Sequence, residues 1–516
     1  MKKFFNAFFG TSFGTLLSRI AGYTRDIFIA KYLGSGFYAD IFFISFKIPN
    51  FFRKITAEGA LQSAFVPIFA DGIKNHTEKN MFAFARNIFS YLLYFLILFT
   101  ALAEIFMPQL MQIFAPGYED EKMQFAILFT RITFPYLIFI SVVALISAIL
   151  NSYGRFFITA VCPVILNLSL IFFLLISHNL TSAKIVLFLS FGVLFAGLFQ
   201  LVFMVYFVVK YKFLLFPVRP HWTYQTKQFF KKFWQIFLAS GIVQINSLVN
   251  SILGTFVATG GVSYLYYADR IVQFPLSLIG TTISISILPH LSAAFGKNGD
   301  SSEIQVFQES SFFLSLFLGL PAAIGLFILS QPIVGLLFER GEFTGMDTIN
   351  VSIILQFYAI SLPFYILSKT LNTILYAKKE TKFPMQVSLL NLFLNVSISL
   401  LLLKRFEIVG IAFAGVVSTI TSTLLLFYKV FKERIFVIRT EFYIKILKIV
   451  YIAITMGICV LCLRIGIEKY YGDFIQLIIA GGIGGLLFLY LSQAMGVINL
   501  WELFDLVRKK ETNDIE

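Results

Sequence analysis

Residues 157–177 read FITAVCPVILNLSLIFFLLIS, a run of 21 residues without a charged side chain. A helix needs about 20 consecutive apolar residues to cross a bilayer, so this run predicts a membrane-spanning helix. The whole chain has the same character, because 58% of its 516 residues are hydrophobic and 13% are charged, against about 25% charged in a soluble domain. This composition excludes a soluble enzyme, a disordered chain and a disulfide scaffold. It predicts an all-α integral membrane protein.

Thirteen further apolar runs bring the number of predicted transmembrane helices to fourteen. The full set of runs is 10–30, 37–69, 85–113, 126–150, 157–177, 184–209, 233–258, 262–292, 309–330, 350–376, 384–403, 408–430, 445–464 and 474–496. The second and eighth runs are long and carry charges. We expect them to bend near Pro49 and Pro275, because a proline removes a helical hydrogen bond.

The basic residues orient the predicted helices. The chain has 41 Lys and Arg residues against 27 Asp and Glu residues, a net charge of +14. Among the basic residues outside the runs or near their ends, 25 lie on the side that holds both termini and eight lie on the other. Cytoplasmic loops carry the excess of Lys and Arg, so both termini are predicted to be cytoplasmic. The basic, aromatic segments 210–232 and 429–448 are predicted to lie against the anionic cytoplasmic leaflet.

The chain also repeats itself, with offsets between 218 and 229 residues. The matched elements are Ala39-Asp40 with Ala268-Asp269; Pro108, Phe114 and Gly117 with Pro332, Phe338 and Gly341; Pro135 and Asn167 with Pro363 and Asn395; and Gly192 and Phe195-Ala196-Gly197 with Gly410 and Phe413-Ala414-Gly415. Each copy holds six predicted helices, an even number, so the halves are parallel copies.

This repeat predicts the domain organisation. An N-terminal six-helix lobe covers residues 1–220, a C-terminal six-helix lobe covers 221–435, and a final pair of helices with a cytoplasmic tail covers 436–516. Two similar lobes around a central cationic cavity are typical of a transporter. A duplication kept only for packing is the alternative.

Charged residues inside the predicted helices concentrate in the first two. The five basic residues and three acidic residues there are Arg19, Arg25, Lys47, Arg53 and Lys54, and Asp26, Asp40 and Glu58. Each intramembrane charge costs about 2.5–3.5 kcal/mol on insertion scales, so it should face a partner or a wet cavity. The surplus of positive charge favours an anionic substrate, because Arg binds phosphate or carboxylate through two parallel hydrogen bonds. A closed network of internal ion pairs is the alternative.

Other features of the predicted helices leave two interpretations open. Asp269-Arg270 places a further Arg in the eighth helix. Arg131 and Lys369 are compatible with side chains that snorkel to the membrane interface, as well as with a cavity. Gly481–Gly485, in the last helix, suits either close helix packing or a groove for a lipid tail.

Catalytic and metal-binding patterns are missing from the sequence. It contains no P-loop, no HExxH pattern and no pair of Asp residues spaced for a metal. Cys459 and Cys462 form a CxxC inside an apolar run, where packing in the core is expected. The sequence therefore predicts a transporter rather than an enzyme, with no cofactor and no metal. A membrane-embedded glycosyltransferase or phosphatase and a scaffold for cell-wall enzymes are the alternatives from other classes.

Several motifs together indicate a family. In the first two predicted helices they are Arg19-Ile-Ala-Gly-Tyr-Thr-Arg25-Asp26, Ala39-Asp40, Phe46-Lys47-Ile48-Pro49-Asn50-Phe51-Phe52-Arg53-Lys54, Ala57-Glu58-Gly59-Ala60 and Ala64-Phe65-Val66-Pro67; later ones are Ala268-Asp269-Arg270, Phe274-Pro275-Leu276, Leu288-Pro289 and Phe338-Glu339-Arg340-Gly341-Glu342-Phe343-Thr344. These motifs resemble those of the MurJ (MviN) family, which belongs to the multidrug/oligosaccharidyl-lipid/polysaccharide exporter superfamily. Lys54 stands where the family often has a second Arg.

The resemblance implies a function and a set of site residues. Members of the family move lipid II, an undecaprenyl-pyrophosphate disaccharide-pentapeptide, from the inner to the outer leaflet of the bacterial cytoplasmic membrane. By this analogy the pyrophosphate-binding residues are Arg19, Arg25, Arg53 and Arg270, supported by the cleft charges Asp26, Asp40, Lys47, Lys54, Glu58 and Asp269. The implied partners are lipid II and membrane lipids, with cell-wall synthesis proteins as further candidates and no nucleic acid. The alternative is an exporter of another polyprenyl-linked glycan or of drugs.

Overall fold

The computed structural model describes residues 2–75, 78–213, 215–257, 259–296, 301–433, 435–436 and 439–499. This part of the chain is helical, without a β-strand. The α-helices are α1 (Lys2–Leu33), α2 (Phe37–Arg53), α3 (Gln62–Asn75), α4 (Glu78–Ile105), α5 (Met107–Phe114), α6 (Asp120–Thr133), α7 (Tyr136–Ser152), α8 (Phe156–Ser177), α9 (Ser182–Lys210), α10 (Tyr224–Gly254), α11 (Gly261–Pro275), α12 (Thr282–Gly296), α13 (Ser301–Ile328), α14 (Ser330–Phe338), α15 (Gly345–Ala377), α16 (Lys382–Lys432), α17 (Thr440–Ile467), α18 (Asp473–Gln476) and α19 (Gly482–Ala494).

These helices form a multi-pass membrane protein. Ten helical stretches of the described chain are long and apolar enough to span a bilayer. Each of the fourteen predicted runs overlaps a helix, and α16 holds two runs, separated at Glu407 by a non-helical backbone (φ 45°, ψ −126°). The all-α membrane architecture is therefore confirmed, whereas the number of fourteen spans stays a prediction.

The two long, charged runs are irregular next to the predicted prolines. Beyond Pro49, α2 continues into a π-helical segment, Lys54–Leu61. Similarly, α11 ends at Pro275 and a second π-helical segment, Leu276–Thr281, follows it. A proline lacks the N–H that the ladder of i→i−4 hydrogen bonds requires, and wide π turns are a common local response.

The internal repeat is visible in the helices. In each half a long helix stops at one residue and a short helix begins directly after it. The interrupting residue is Phe106 between α4 and α5 (φ −96°, ψ 20°) and Leu329 between α13 and α14 (φ −94°, ψ 17°). The repeated prolines Pro108 and Pro332 lie in the first turn of the short helix, where a missing N–H leaves no hydrogen bond unmade.

The chain divides into two compact units by its internal contacts. The first comprises Met1–Leu265 with Arg340–Thr344, and the second comprises Tyr266–Glu339 with Gly345–Glu516. Helix α10 belongs to the first unit, where it packs on α3 and on the π-helical segment Lys54–Leu61. The division into lobes at 1–220, 221–435 and 436–516 follows the repeat rather than the packing, and stays a prediction.

Within the first unit, α8 packs along α1 and α9. The linker from α9 to α10 lies along α4, where Asn87 accepts a hydrogen bond from the backbone N–H of His221 (2.9 Å) and donates one to its carbonyl (2.6 Å). Phe213, which the sequence placed at the membrane surface, is buried and stacks on Tyr153, with ring centroids 4.4 Å apart. Trp222 further along this linker is 70% exposed.

Within the second unit, the two final helices pack against each other through small residues. A Cβ on Gly484 of α19 would collide with Val460 of α17. A second glycine of α17, Gly457, packs closely on α13, because its Cβ would approach Ile324 to 2.7 Å. Gly482 and Gly485 have no neighbouring atom within 4 Å of an added Cβ. Gly484 therefore serves close helix packing, one of the two interpretations of the glycine run.

Candidate substrate-binding site

Arg25 lies in the middle of a buried polar cluster on α1. Its Nε and Nη2 donate to Asp26 Oδ1 at 2.9 and 2.6 Å, and its Nη1 donates to Asn167 Oδ1 of α8 at 3.0 Å. The amide of Asn167 in turn donates to the Ser18 carbonyl (3.1 Å). Arg25 is 3% exposed and Asp26 is fully buried. The structure thus shows the internal ion pair that the sequence left as an alternative, for this arginine.

Arg19 and Arg53 are more accessible than Arg25. The side chain of Arg19, on α1, is exposed. Arg53 is the last residue of α2, and its half-buried side chain donates from Nε to Asn50 Oδ1 (3.1 Å). Asn50 is itself held to its own helix, since its Nδ2 donates to the Phe46 carbonyl (2.8 Å). The chain thereby orients the Arg53 guanidinium next to the π-helical segment.

Lys47 and Lys54 occupy different surroundings on the same helical stretch. Lys47 donates to the Ser247 carbonyl of α10 (2.9 Å) and to the Ser251 hydroxyl. This lysine therefore joins α2 to α10 through neutral partners. Lys54 opens the π-helical segment and is exposed. The side chain of Glu58, in the same segment, lies outside the described residues.

Asp40 is the most completely bonded of the predicted site residues. Its Oδ2 accepts hydrogen bonds from Lys122 Nζ and from the Gly260 N–H, both at 2.8 Å. Its Oδ1 accepts from the Ser263 N–H (2.8 Å) and the Ser263 hydroxyl (2.6 Å). Asp40 is 1% exposed. Because Gly260 and Ser263 are at the start of α11, this carboxylate of α2 caps the N-terminus of another helix.

Sequence reasoning missed Lys122 as the partner of this carboxylate. It placed Lys122 in a loop on the outer side, but the residue lies in the first turn of α6 and is 8% exposed. The position of Asp40 inside an apolar run was a signal that some cation must pair with it. In the described contacts Asp40 therefore pairs with Lys122 and not with a basic residue of the first two predicted helices. Two acidic residues, Asp26 and Glu58, are then left beside the five basic residues of those helices.

Close backbone contacts join the end of α1 to the segment Arg340–Thr344, which belongs to the first unit. The N–H of Glu342 donates to the Lys31 carbonyl (2.9 Å) at the end of α1. Gly34 and Gly341 both have φ of 62°, and a Cβ on either would collide with backbone atoms of the other segment. The segment Arg340–Thr344 is therefore fixed to the end of α1 through two glycines.

Asp269 and Arg270 belong to the second unit. Arg270, on α11, is half-buried, and its guanidinium lies 5.5 Å from the centroid of the Tyr266 ring, a cation–π contact. Asp269 is exposed and accepts a hydrogen bond from Gln273 one turn later. Of the predicted residues, the structure thus brings Arg25 together with Asp26. It places Asp40 with Lys122 and Arg270 with Tyr266.

A family model described as lipid II flippase MurJ matches residues 29–481. The chain belongs to the MurJ family. A protein of Rickettsia prowazekii named "Probable lipid II flippase MurJ" is 39% identical over 404 residues, 78% of each chain. A protein of the same name from the Buchnera aphidicola of Acyrthosiphon pisum is 32% identical over 491 residues, 94% of this chain and 96% of the relative.

Solved structures agree with this MurJ assignment. A structure titled "Lipid II flippase MurJ, inward closed conformation" superposes with a TM-score of 0.79 at 26% identity, covering 94% of this chain and 98% of the other. A multidrug transporter of the MATE family, in an inward-facing conformation, has a TM-score of 0.66 at 14% identity, over 80% of this chain and 93% of the other. This second likeness shows a shared fold. Membership in a flippase family places the chain among transport proteins.

Proposed function

We propose that this chain moves lipid II from the cytoplasmic to the periplasmic leaflet of the bacterial cytoplasmic membrane by alternating access. One observation carries the proposal: a MurJ family chain holds five basic and three acidic residues in its first two predicted helices. The Asp40 carboxylate is bonded to Lys122 rather than to any of the predicted site arginines in the described contacts. A surplus of positive charge in membrane helices requires an anion, and a pyrophosphate supplies two or more negative charges.

The four predicted site arginines have different roles in this proposal. Arg53 and Arg25 hold the pyrophosphate, and Arg19 and Arg270 are the further arginines of the binding set. Arg25 is 3% exposed and bonded to Asp26. In this proposal a pyrophosphate oxygen replaces the Asp26 carboxylate when Arg25 contacts the substrate. Such an exchange keeps the guanidinium neutralised at each stage, which lowers the cost of moving it within the membrane.

A drug exporter is the less suitable assignment for the same site. The charged residues of the first two predicted helices are mostly basic. A site of this charge repels a cationic drug and attracts an anionic substrate. An exporter of another polyprenyl-linked glycan would use the same arginines. The lipid that appears in the outer leaflet distinguishes the two.

The test is rescue of a bacterium depleted of its own lipid II flippase. The chain should restore growth, and lipid II should appear in the outer leaflet, where an enzyme added outside the cell can digest it. Cells with the empty vector should keep their lipid II protected. Rescue without exposed lipid II, or no rescue at normal membrane levels of the protein, would refute the proposed substrate.

The proposal includes a location and an orientation. The protein lies in the cytoplasmic (inner) membrane with both termini in the cytoplasm. The orientation follows from the loop charges, because the side that holds the termini has 25 basic residues and the opposite side has eight. Lipid II and the surrounding membrane lipids are the proposed partners, and cell-wall synthesis proteins are further candidates.

A further inference from the structure

A polar stripe runs along α15 in the second unit, near Asp269 of α11. Its members are Tyr358, Tyr365, Lys369, Asn372 and Tyr376. At 100° per residue these five positions fall within about 60° of one another on the helix. All five side chains are at least partly exposed, and Tyr365 and Tyr376 are 43% and 47% exposed. An ionisable residue within a membrane-spanning helix, such as Lys369 in this stripe, faces a partner or a wet cavity rather than lipid.

The stripe faces the second π-helical segment. Lys369 Nζ donates to the Thr281 hydroxyl at 2.9 Å. The position of Gly280 is close to the same side chain, since a Cβ there would lie 3.4 Å from Lys369 Cδ, an ordinary van der Waals distance. Thr281 is 15 residues before the end of α12, so Lys369 points toward the interior of that helical stretch. Snorkelling to the membrane surface, which the sequence left open, does not describe this geometry.

The positive charge of Lys369 has a neutral partner. Within the described residues no carboxylate lies within 4.0 Å of its ammonium, and Thr281 supplies a hydroxyl. One turn further along both helices, the Ser284 hydroxyl and the Asn372 Oδ1 atom are buried and lack a hydrogen-bond partner among those residues. A membrane-embedded ammonium without a counter-ion is costly, and an anion on its accessible side would offset that cost.

We propose that Lys369 and Thr281 form a second oxyanion subsite, in the second unit, for the transported lipid. The inference rests on the proposed function and adds a residue to the recognition of its substrate. Lipid II offers two oxyanions, the pyrophosphate and the carboxylates of its peptide, and both suit an ammonium beside a hydroxyl donor. The tyrosine hydroxyls of the stripe and the Asn372 amide suit the neighbouring hydroxyl and amide groups of such a lipid.

The test measures binding to the full chain in nanodiscs. Three probes are compared: lipid II, lipid II with its peptide carboxylates converted to amides, and undecaprenyl pyrophosphate. Lys369→Met should weaken lipid II binding about tenfold, the loss of one charge-assisted hydrogen bond. Lys369→Arg should bind within a few-fold of wild type. The matched control is Lys404→Met, an exposed lysine of the same unit, which should bind like wild type.

The probes separate the two oxyanions. If Lys369 contacts a carboxylate, the amide form should bind wild type as weakly as lipid II binds Lys369→Met, and undecaprenyl pyrophosphate should bind both proteins equally. If it contacts the pyrophosphate, all three probes should lose affinity on Lys369→Met. Equal binding of lipid II to wild type and Lys369→Met, or an equal loss in Lys404→Met, overturns the subsite. Failure of wild type to bind lipid II overturns instead the proposed function, and with it the subsite.

Discussion

Lys122 donates a hydrogen bond of 2.8 Å to Asp40 across 82 residues of sequence, and the two side chains are 10% and 1% exposed. The same carboxylate accepts hydrogen bonds from the backbone N–H groups of Gly260 and Ser263. One acid on α2 thereby joins α6 and the start of α11. A buried carboxylate with four donors is well satisfied, so this cluster holds one end of the first unit together.

Breaking this pair from one side should be costly. Removing one partner of a buried ion pair destabilises a protein by about 3–5 kcal/mol, because the other charge stays buried. We expect Asp40→Asn and Lys122→Met each to lower the apparent unfolding temperature of the purified protein clearly. The double variant should lose less than the sum of the two single losses, which a thermal unfolding series in detergent measures. Strictly additive losses would show that the two charges do not interact.

The glycine contact between α1 and Arg340–Thr344 gives a second stability prediction. Gly34→Ala places a Cβ against the Glu342 carbonyl at a residue with φ of 62°. The left-handed backbone alone costs a non-glycine residue about 1 kcal/mol, and the collision adds to it. Gly36→Ala is the matched control, since its Cβ would meet no atom within 4 Å. The unfolding temperature should fall for Gly34→Ala and change little for Gly36→Ala. Equal shifts would contradict the close contact.

Labelling of single cysteines checks the orientation. In a chain whose three native cysteines are replaced, Glu119→Cys should react with a membrane-impermeant reagent in intact cells. Lys227→Cys should react after the membrane is opened. Both positions are exposed in the structure, so accessibility within the protein does not limit the reaction. The reverse labelling pattern would invert the topology and the proposed direction of transport.

The exchange between Asp26 and the substrate can be measured through Asp26→Asn. Asparagine keeps one carbonyl acceptor for Arg25 but removes the competing negative charge. If Asp26 gives way to a pyrophosphate, undecaprenyl pyrophosphate should bind this variant more tightly than wild type, by about tenfold for one charge-assisted contact. Asn167→Leu serves as the comparison, because it removes the neutral partner of Arg25. Weaker binding by Asp26→Asn would mean that the carboxylate supports the substrate rather than competing with it.

Composition and patterning anticipated the helical membrane fold, the irregular stretches after Pro49 and Pro275, and the repeat. The helices and their irregular stretches depend on residues near one another in the chain, and the repeat is a match between sequence motifs. The partners of Asp40 could not be read in the same way, because Lys122, Gly260 and Ser263 reach it from three distant segments. Asn167 was noticed as a repeated residue, yet its bond to Arg25 depends on how α8 packs on α1.

The central claim is that Arg25 and Arg53 bind the pyrophosphate of lipid II. The direct measurement is the fraction of lipid II exposed in the outer leaflet of depleted cells that carry Arg25→Ala, Arg53→Ala or Arg25→Lys at matched membrane levels. The control is Arg131→Ala, an exposed arginine of α6 outside the proposed set. Both alanine variants should abolish the exposure of lipid II, and the control should leave it unchanged. Arg25→Lys should give partial exposure, because lysine keeps the charge but not the paired donors. Wild-type exposure in both alanine variants would contradict the claim and leave these arginines as structural ion pairs.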